Sequence, residues 1–329
     1  MKKTIYKYML LSLSLFCISC SSDNDDSGEV VSSAGASIQV SVIFMPNAVG
    51  DYGFNDRVQA GVSAFCDGGI VDELGQIDGN SKAVANFFRP TTEEEMVTMI
   101  SSSWKKDSVN TVSGKGYEKR LLILTDPSQA EYLPSLSSKE SVLMLDAEAV
   151  NGGMALQINA REEAREAARQ VKIWNTGYPG ETVPIMLRIT EREYTDGIED
   201  GFRDVFSEDD NLEYDYLDSR STYGSLYVAA RRMAELYGGT YKSFVSSCLV
   251  DLRQYASQFY FYYFTNTSEQ MLVSVDRRFD DQPIQMGSTI LRRYDKALVT
   301  WLNAWTSGQQ MDATTVYTSD DGMCELITY

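Results

Sequence analysis

Residues 37–65 read SIQVSVIFMPNAVGDYGFNDRVQAGVSAF. Ser37–Met45 is apolar enough for a buried strand, and Pro46 ends it, because proline has no N–H to donate to a strand ladder. A glycine-bounded turn follows. Val58, Val62 and Phe65 then recur on one face of a helix. Strand, turn and helix in this order make the opening unit of an α/β fold. The chain repeats the alternation to its end, which predicts parallel sheets with helices on both faces.

Working outward, Lys82–Arg89 is the next expected strand. Thr92-Glu93-Glu94-Glu95 is a capping-box pattern, and Met96 and Ile100 continue that helix. Leu121–Thr125 and Ser141–Leu145 are short buried strands, with a helix after Pro127 between them. Helices are expected over Ala160–Trp174, Arg192–Phe206, Thr222–Tyr237 and Met286–Trp305. Strands are expected over Val183–Ile189, Glu213–Leu217, Ser243–Cys248, Leu272–Val275, Val316–Thr318 and Cys324–Thr328. The aromatic run Gln258–Phe264 has strand propensity, but its position between two strands assigns it to a helix.

The N-terminus has a different composition. Lys2, Lys3 and Lys7 precede the apolar stretch Met9–Ile18, which is short for a membrane span. Cys17-Ile18-Ser19-Cys20 follows and resembles a bacterial lipobox, which implies that residues 1–20 are a signal and that Cys20 is lipidated. Residues 21–36 are rich in Ser, Gly and acids, cannot bury enough surface to fold, and read as a tether. The acidic run Asp23-Asn24-Asp25-Asp26 is similar to a surface-export signal. An outer-membrane lipoprotein is therefore expected, displayed outward or on the periplasmic face.

The 329 residues carry a formal charge of −18, more negative still once Lys2, Lys3 and Lys7 leave with the signal. Without a basic patch, a nucleic-acid polymer is a poor partner. The sequence contains no histidine. That removes histidine triads, histidine metal sites and imidazole acid–base chemistry. No GxSxG or Walker-type loop is present, so the expectation is a non-enzyme with no cofactor and no metal. Cys66, Cys248 and Cys324 lack metal-type spacing. Export permits a Cys248–Cys324 disulfide, with buried free thiols as the alternative.

Ligands of open α/β sheets sit outside the carboxyl ends of the strands. Phe54, Asn55, Asp126, Asp146, Arg220, Tyr223, Asp276 and Arg292 all follow expected strands or open expected helices. Phe54 is either a ring that stacks on a flat ligand or a hydrophobic staple. Asn55 either reads a base edge or caps the helix. Asp126 and Asp146 either face a cleft or form turns.

Gly50–Asp56 (GDYGFND) looks like the GDKSFND-type motif of the BMP (basic membrane protein) family. Further segments match in order. Ser141–Asp146 (SVLMLD) is similar to that family's strand ending in Asp, and Thr195–Phe202 to its "EAGF" helix. Ser274-Val275-Asp276 resembles "GVD", and Gly287–Ala297 its TSMIKRVDVA segment. The matches span residues 38–310. They imply the type I periplasmic-binding-protein fold, with two doubly wound lobes around a cleft: 38–148 with 281–307, and 149–280 with 308–329. They also imply a small-molecule ligand, purine nucleoside in characterised members, and a membrane transporter as partner. By the same resemblance Asp276 accepts from ribose hydroxyls and Arg292 stands where the family has a binding lysine. Three places depart from the pattern. Met45-Pro46 replaces an Asp, Leu249-Val250-Asp251 replaces a glycine-rich loop, and Ser219–Tyr223 lacks the second stacking Phe, leaving Arg220 or Tyr223 to stack. The alternative to a solute-binding protein is an interaction lipoprotein that keeps the scaffold without the pocket.

Overall fold

The computed structural model describes residues 35–72, 74–106, 115–150, 152–176, 185–189, 195–206, 213–217, 247–251, 271–278 and 287–329. Cys20, residues 21–34 of the expected tether, Arg220, Tyr223, the expected helix over Thr222–Tyr237 and the run Gln258–Phe264 lie outside them, whereas Ala36 at the end of that tether is buried with Val84 and Tyr117.

Two six-stranded sheets carry the fold. In chain order the strands are β1 (Ile38–Ile43), β2 (Gly69–Val71), β3 (Gly75–Ile77), β4 (Ala83–Phe88), β5 (Lys119–Leu124), β6 (Glu140–Leu145) and β7 (Met154–Ile158), followed by β8 (Ile185–Ile189), β9 (Glu213–Leu217), β10 (Ser247–Asp251), β11 (Met271–Val275), β12 (Gly287–Arg292), β13 (Thr314–Tyr317) and β14 (Cys324–Thr328). The first sheet is ordered β13-β7-β6-β5-β1-β4 and is parallel throughout. The second is ordered β14-β12-β11-β10-β8-β9, and its edge strand β14 runs antiparallel to β12. β2 and β3 form a small separate hairpin. The described helices include α1 (Phe54–Asp67), α2 (Glu93–Thr98, continued by a π-helical turn Met99–Ser103 and a short helical turn Trp104–Lys106), α3 (Arg161–Thr176), α4 (Ile198–Val205) and α5 (Tyr294–Thr306).

The core explains why the first sheet's strands are continuous apolar runs. All six residues of β1 are buried. Alternate residues feed opposite faces, as the period of two requires. Val40, Val42, Leu121, Ile123, Leu143 and Leu145 face Val58, Val62 and Phe65 of α1 and Leu298 and Trp301 of α5. Ile43, Leu122, Leu124, Val142 and Met144 face Met96, Ile100 and Trp104 on the other side. α1 and α5 approach so closely that a Cβ at Gly61 would lie 2.6 Å from the Asp295 carbonyl oxygen. Glycine is therefore required at that contact.

The capping box is formed as expected. The Glu95 N–H donates to Thr92 Oγ1 at 3.2 Å, and the Thr92 N–H donates to the Glu95 carboxylate at 3.3 Å. The helix expected over Met286–Trp305 divides in two. Gly287–Arg292 is a fully buried strand between β11 and β14, and the helix begins only at Tyr294. Thr289 and Ile290 are β-branched and suit that strand. The stretch after Pro127 is a 3₁₀ turn, Pro127–Tyr132. β7, a short MALQI strand whose apolar run is interrupted by Gln157, is an additional strand.

The chain passes between the sheets three times: after β7, after β12 and after β13. Each passage falls later than the boundaries expected at 148, 281 and 307. β7 pairs in the first sheet, β12 in the second and β13 in the first.

The expected Cys248–Cys324 disulfide is not formed, since Cys324 is a free thiol. Cys248 lies in β10 and Cys324 in β14, with β11 and β12 between them. Strands spaced about 4.8 Å apart put the pair far beyond the reach of a disulfide. Cys66 and Cys324 are buried free thiols. Burial pushes the Cys66 thiol far up, which makes it inert.

Candidate functional site

The turn between β1 and α1 is organised by two carboxylates. Asp51 accepts from the Gly53 N–H at 2.8 Å, the Asn55 N–H at 3.1 Å, the Asp56 N–H at 3.3 Å and the Asn55 side-chain amide at 2.8 Å. Asp56 accepts from the Gly50 and Tyr52 N–H groups at 2.7 and 2.9 Å. The exposed N–H groups of the helix start are thus met by Asp51, placed before the helix. Asn55 is not the cap; that position is Gly53, and Asn55 spends its amide on Asp51. Burial pushes the Asp51 carboxyl above its ordinary range, against the opposing pull of the Asn55 and Gly53 N–H groups. Nothing in the sequence reading singled out Asp51, although an Asp in a glycine-bounded turn three residues before a helix is a local signal for it.

Phe54 opens α1 and is 2% exposed. Its ring meets that of Tyr294, the first residue of α5, edge-on at 4.9 Å and 80°. This favourable aromatic geometry couples the starts of the two helices.

The second part of the site comes from strand ends. Asp146 follows β6, Asp276 follows β11 and Arg292 closes β12. Asp146 and Asp276 have φ of 52° and 62°. This left-handed conformation is uncommon outside glycine and is tolerated best by Asn and Asp. The Asp276 turn is held by the hydroxyls of Ser274 and Thr289, which donate to the Arg277 carbonyl at 2.9 and 2.8 Å. The Asp146 turn is held by Gln157, whose amide donates to the Ala147 carbonyl at 3.0 Å.

Arg292 joins these elements. Its Nε donates to Asp276 Oδ1 at 3.1 Å and one terminal nitrogen to Asp276 Oδ2 at 2.5 Å, a two-pronged pairing. The other terminal nitrogen donates to Asp146 Oδ2 and, at 3.5 Å, to Asp196 Oδ2. The Tyr294 hydroxyl donates to the remaining oxygen of Asp146. The guanidinium carbon lies 5.9 Å from the Phe54 ring centre and 5.6 Å from that of Tyr294. Arg292 and Asp146 have zero exposure. Burial by itself would lower the guanidinium pKa, but Asp146 and Asp276 outweigh it and hold the group well above its ordinary value.

The GDYGFND turn closes against the same place. Arg57 Nε donates to the Asp276 carbonyl at 3.4 Å, and a Cβ on Gly53 would sit 3.4 Å from that oxygen. The Arg277 guanidinium lies 5.6 Å from the ring of the exposed Tyr52.

Phe54, Asp146, Asp276 and Arg292 are therefore brought together, with Asn55 one step away through Asp51. Asp126 serves elsewhere. It caps the 3₁₀ turn by accepting from the Ser128 N–H at 3.0 Å and hydroxyl at 2.6 Å. Asp196 and Tyr294 belong to the cluster and were missed, although each lies within a segment that carries the BMP resemblance. Among the described residues no group of acidic or cysteine side chains is arranged to hold a metal ion, and no helix is long and apolar enough to cross a membrane.

No family profile and no curated protein matches the sequence. Solved structures do match. A solute-binding protein of an ABC transporter system from Aeropyrum pernix superposes with a TM-score of 0.58 at 16% identity, over 88% of this chain and 76% of that one. An ABC transporter solute-binding protein from Agrobacterium vitis with bound D-fucose does so at 0.58 and 12%, over 88% and 94%. A LacI transcriptional regulator from Lactobacillus brevis reaches 0.55 at 10%, over 88% and 99%. The fold is that of the type I periplasmic binding proteins. At these identities the likeness concerns the scaffold, and the expected α/β architecture with parallel sheets holds.

Proposed function

We propose that the protein is a lipid-anchored solute-binding protein that closes two lobes, one built on each sheet, around a small polar ligand without catalysis. The observation that carries this is the meeting of strand-end side chains from both sheets, Asp146 from the first and Asp276 and Arg292 from the second. Carboxyl ends of parallel strands are where this architecture places ligands. The BMP resemblance names purine nucleoside as the ligand and a membrane transporter as the partner, with Cys20 as the anchor in the outer membrane. The solute-binding structures that share the scaffold support a binding role over an enzymatic one.

A specific observation favours a second reading, an interaction lipoprotein with a filled cleft. Phe54, Asn55, Asp146, Asp276 and Arg292 are at most 2% exposed and bonded or packed among themselves. The two readings separate experimentally. The purified protein is denatured and its co-purified small molecules are identified by mass spectrometry, then a thermal-shift panel of nucleosides and sugars is run. A ligand that binds only the folded state raises the melting temperature. A co-purified nucleoside with a matching shift is expected. No bound molecule and no shift across the panel would overturn solute binding and leave the interaction lipoprotein.

A further inference from the structure

The geometry points to Arg292 as a built-in occupant of the cleft. Its guanidinium takes the place between the strand ends that a ligand takes in this architecture, and it ties the two sheets together there. The inference rests on reading the strand-end cluster as the binding cleft, and it concerns how that cleft is regulated.

Three observations carry it. The first is that the surroundings of the guanidinium have the form of a receptor. Asp276 grips one edge with both oxygens, Asp146 and Asp196 take the other, and the Phe54 and Tyr294 rings lie together on one side of it. Planar two-pronged pairing beside aromatic rings is what selects a guanidinium over an ammonium. The second is that the parts come from both sheets. Asp276 and Arg292 end neighbouring strands of the second sheet, whereas Asp146 ends a strand of the first. The guanidinium therefore bonds across the passage between the sheets, one residue before the chain itself crosses into α5. The third is that Asp146 and Asp276 are both held in left-handed backbone conformations that present their carboxylates to it. Such conformations persist where the surrounding structure over-determines them, and they concentrate at ligand clamps and switches.

Closure of this kind makes the closed form the ground state. A solute then enters only when Arg292 leaves its carboxylates, and ligand affinity is reduced by the fraction of molecules in which it has left. The receptor emptied of Arg292 is a site for a small guanidinium compound.

The test uses the purified protein without any solute. Arg292→Ala removes the equivalent of ethylguanidinium. Melting temperature and amide hydrogen exchange at residues 146–147 and 276–277 are measured with ethylguanidinium chloride at millimolar concentration, and with ethylammonium chloride as control. The variant is expected to lose melting temperature and protection at both strand ends, and ethylguanidinium, not ethylammonium, restores them. The wild type is expected to show no shift with either. Failure of ethylguanidinium to restore the variant, or an equal shift in the wild type, would overturn the inference. If Arg292→Ala does not fold, Asp146→Asn keeps the guanidinium and removes one charge of its receptor. Faster exchange at both strand ends with unchanged exchange inside each sheet supports the latch, and unchanged exchange at the strand ends overturns it. Neither result depends on whether a nucleoside or sugar binds.

Discussion

Arg120 and Arg292 are both buried, at opposite kinds of place. Arg120 starts in the N-terminal part of β5. Its Nε donates to Gln39 at 2.7 Å, one terminal nitrogen to Glu140 at 2.9 Å and the other to the Trp104 carbonyl, and its guanidinium lies 4.8 Å from the Trp104 ring centre. All these partners belong to the first sheet and the helix against it. Arg292 ends a strand instead, and among the described residues it is held by three carboxylates from separate segments, one of them on the other sheet. The same side chain with the same aromatic support thus does two jobs. At the amino end of the strands it neutralises and fills; at the carboxyl end it spans the gap where the fold places ligands. Position relative to the strand direction, rather than residue type, separates scaffold from site.

Substitutions can break that contrast. Arg292→Ala has the largest expected effect, a loss of about 3–5 kcal/mol in urea unfolding, because it strands buried carboxylates. Phe54→Ala comes next at about 3 kcal/mol, the cost of emptying a buried aromatic position, and it should also loosen the α1–α5 contact. Arg120→Met is expected to cost about 2 kcal/mol, less than Arg292→Ala, since Met keeps much of the volume and Glu140 retains Lys105 at 3.4 Å. An Arg120→Met loss equal to that of Arg292→Ala would erase the distinction.

The smallest effect is on pH dependence. Glu140 titrates below its ordinary value of 4.5: burial opposes the shift, and the Ser137 N–H with Lys105 and Arg120 outweighs it. A carboxylate depressed in the folded state adds stability that is present above pH 4.5 and lost as pH falls through the folded value. Glu140→Gln should therefore flatten the acid limb of the stability curve below pH 4.5. A limb as steep as in the wild type would show that the Arg120 pair contributes little.

What could be read from the sequence divides along physical lines. β1, α1, the Thr92 capping box and β14 rest on local patterns, and the structure contains them where those patterns lie. β12 was read as helix because its residues run directly into a strong helical pattern, and only pairing with β11 and β14 makes it a strand. The strand-end positions of Asp146, Asp276 and Arg292 were legible from element order. Their mutual bonding was not, since Arg292 and Asp146 are 146 residues apart and meet only through the crossings between sheets. Asp51 was missed for the opposite reason. Its role is local, and the more conspicuous Phe54 and Asn55 beside it drew the functional reading.

The central claim is that Arg292 ties the two sheets together at their strand ends. A double-mutant cycle on Arg292→Met and Asp146→Asn measures that tie directly, by equilibrium unfolding of the wild type, both single variants and the double variant. A coupling of about 2–3 kcal/mol is expected, at the upper end of what contacting residues show. A coupling below about 0.5 kcal/mol, the level of independent sites, would contradict the claim.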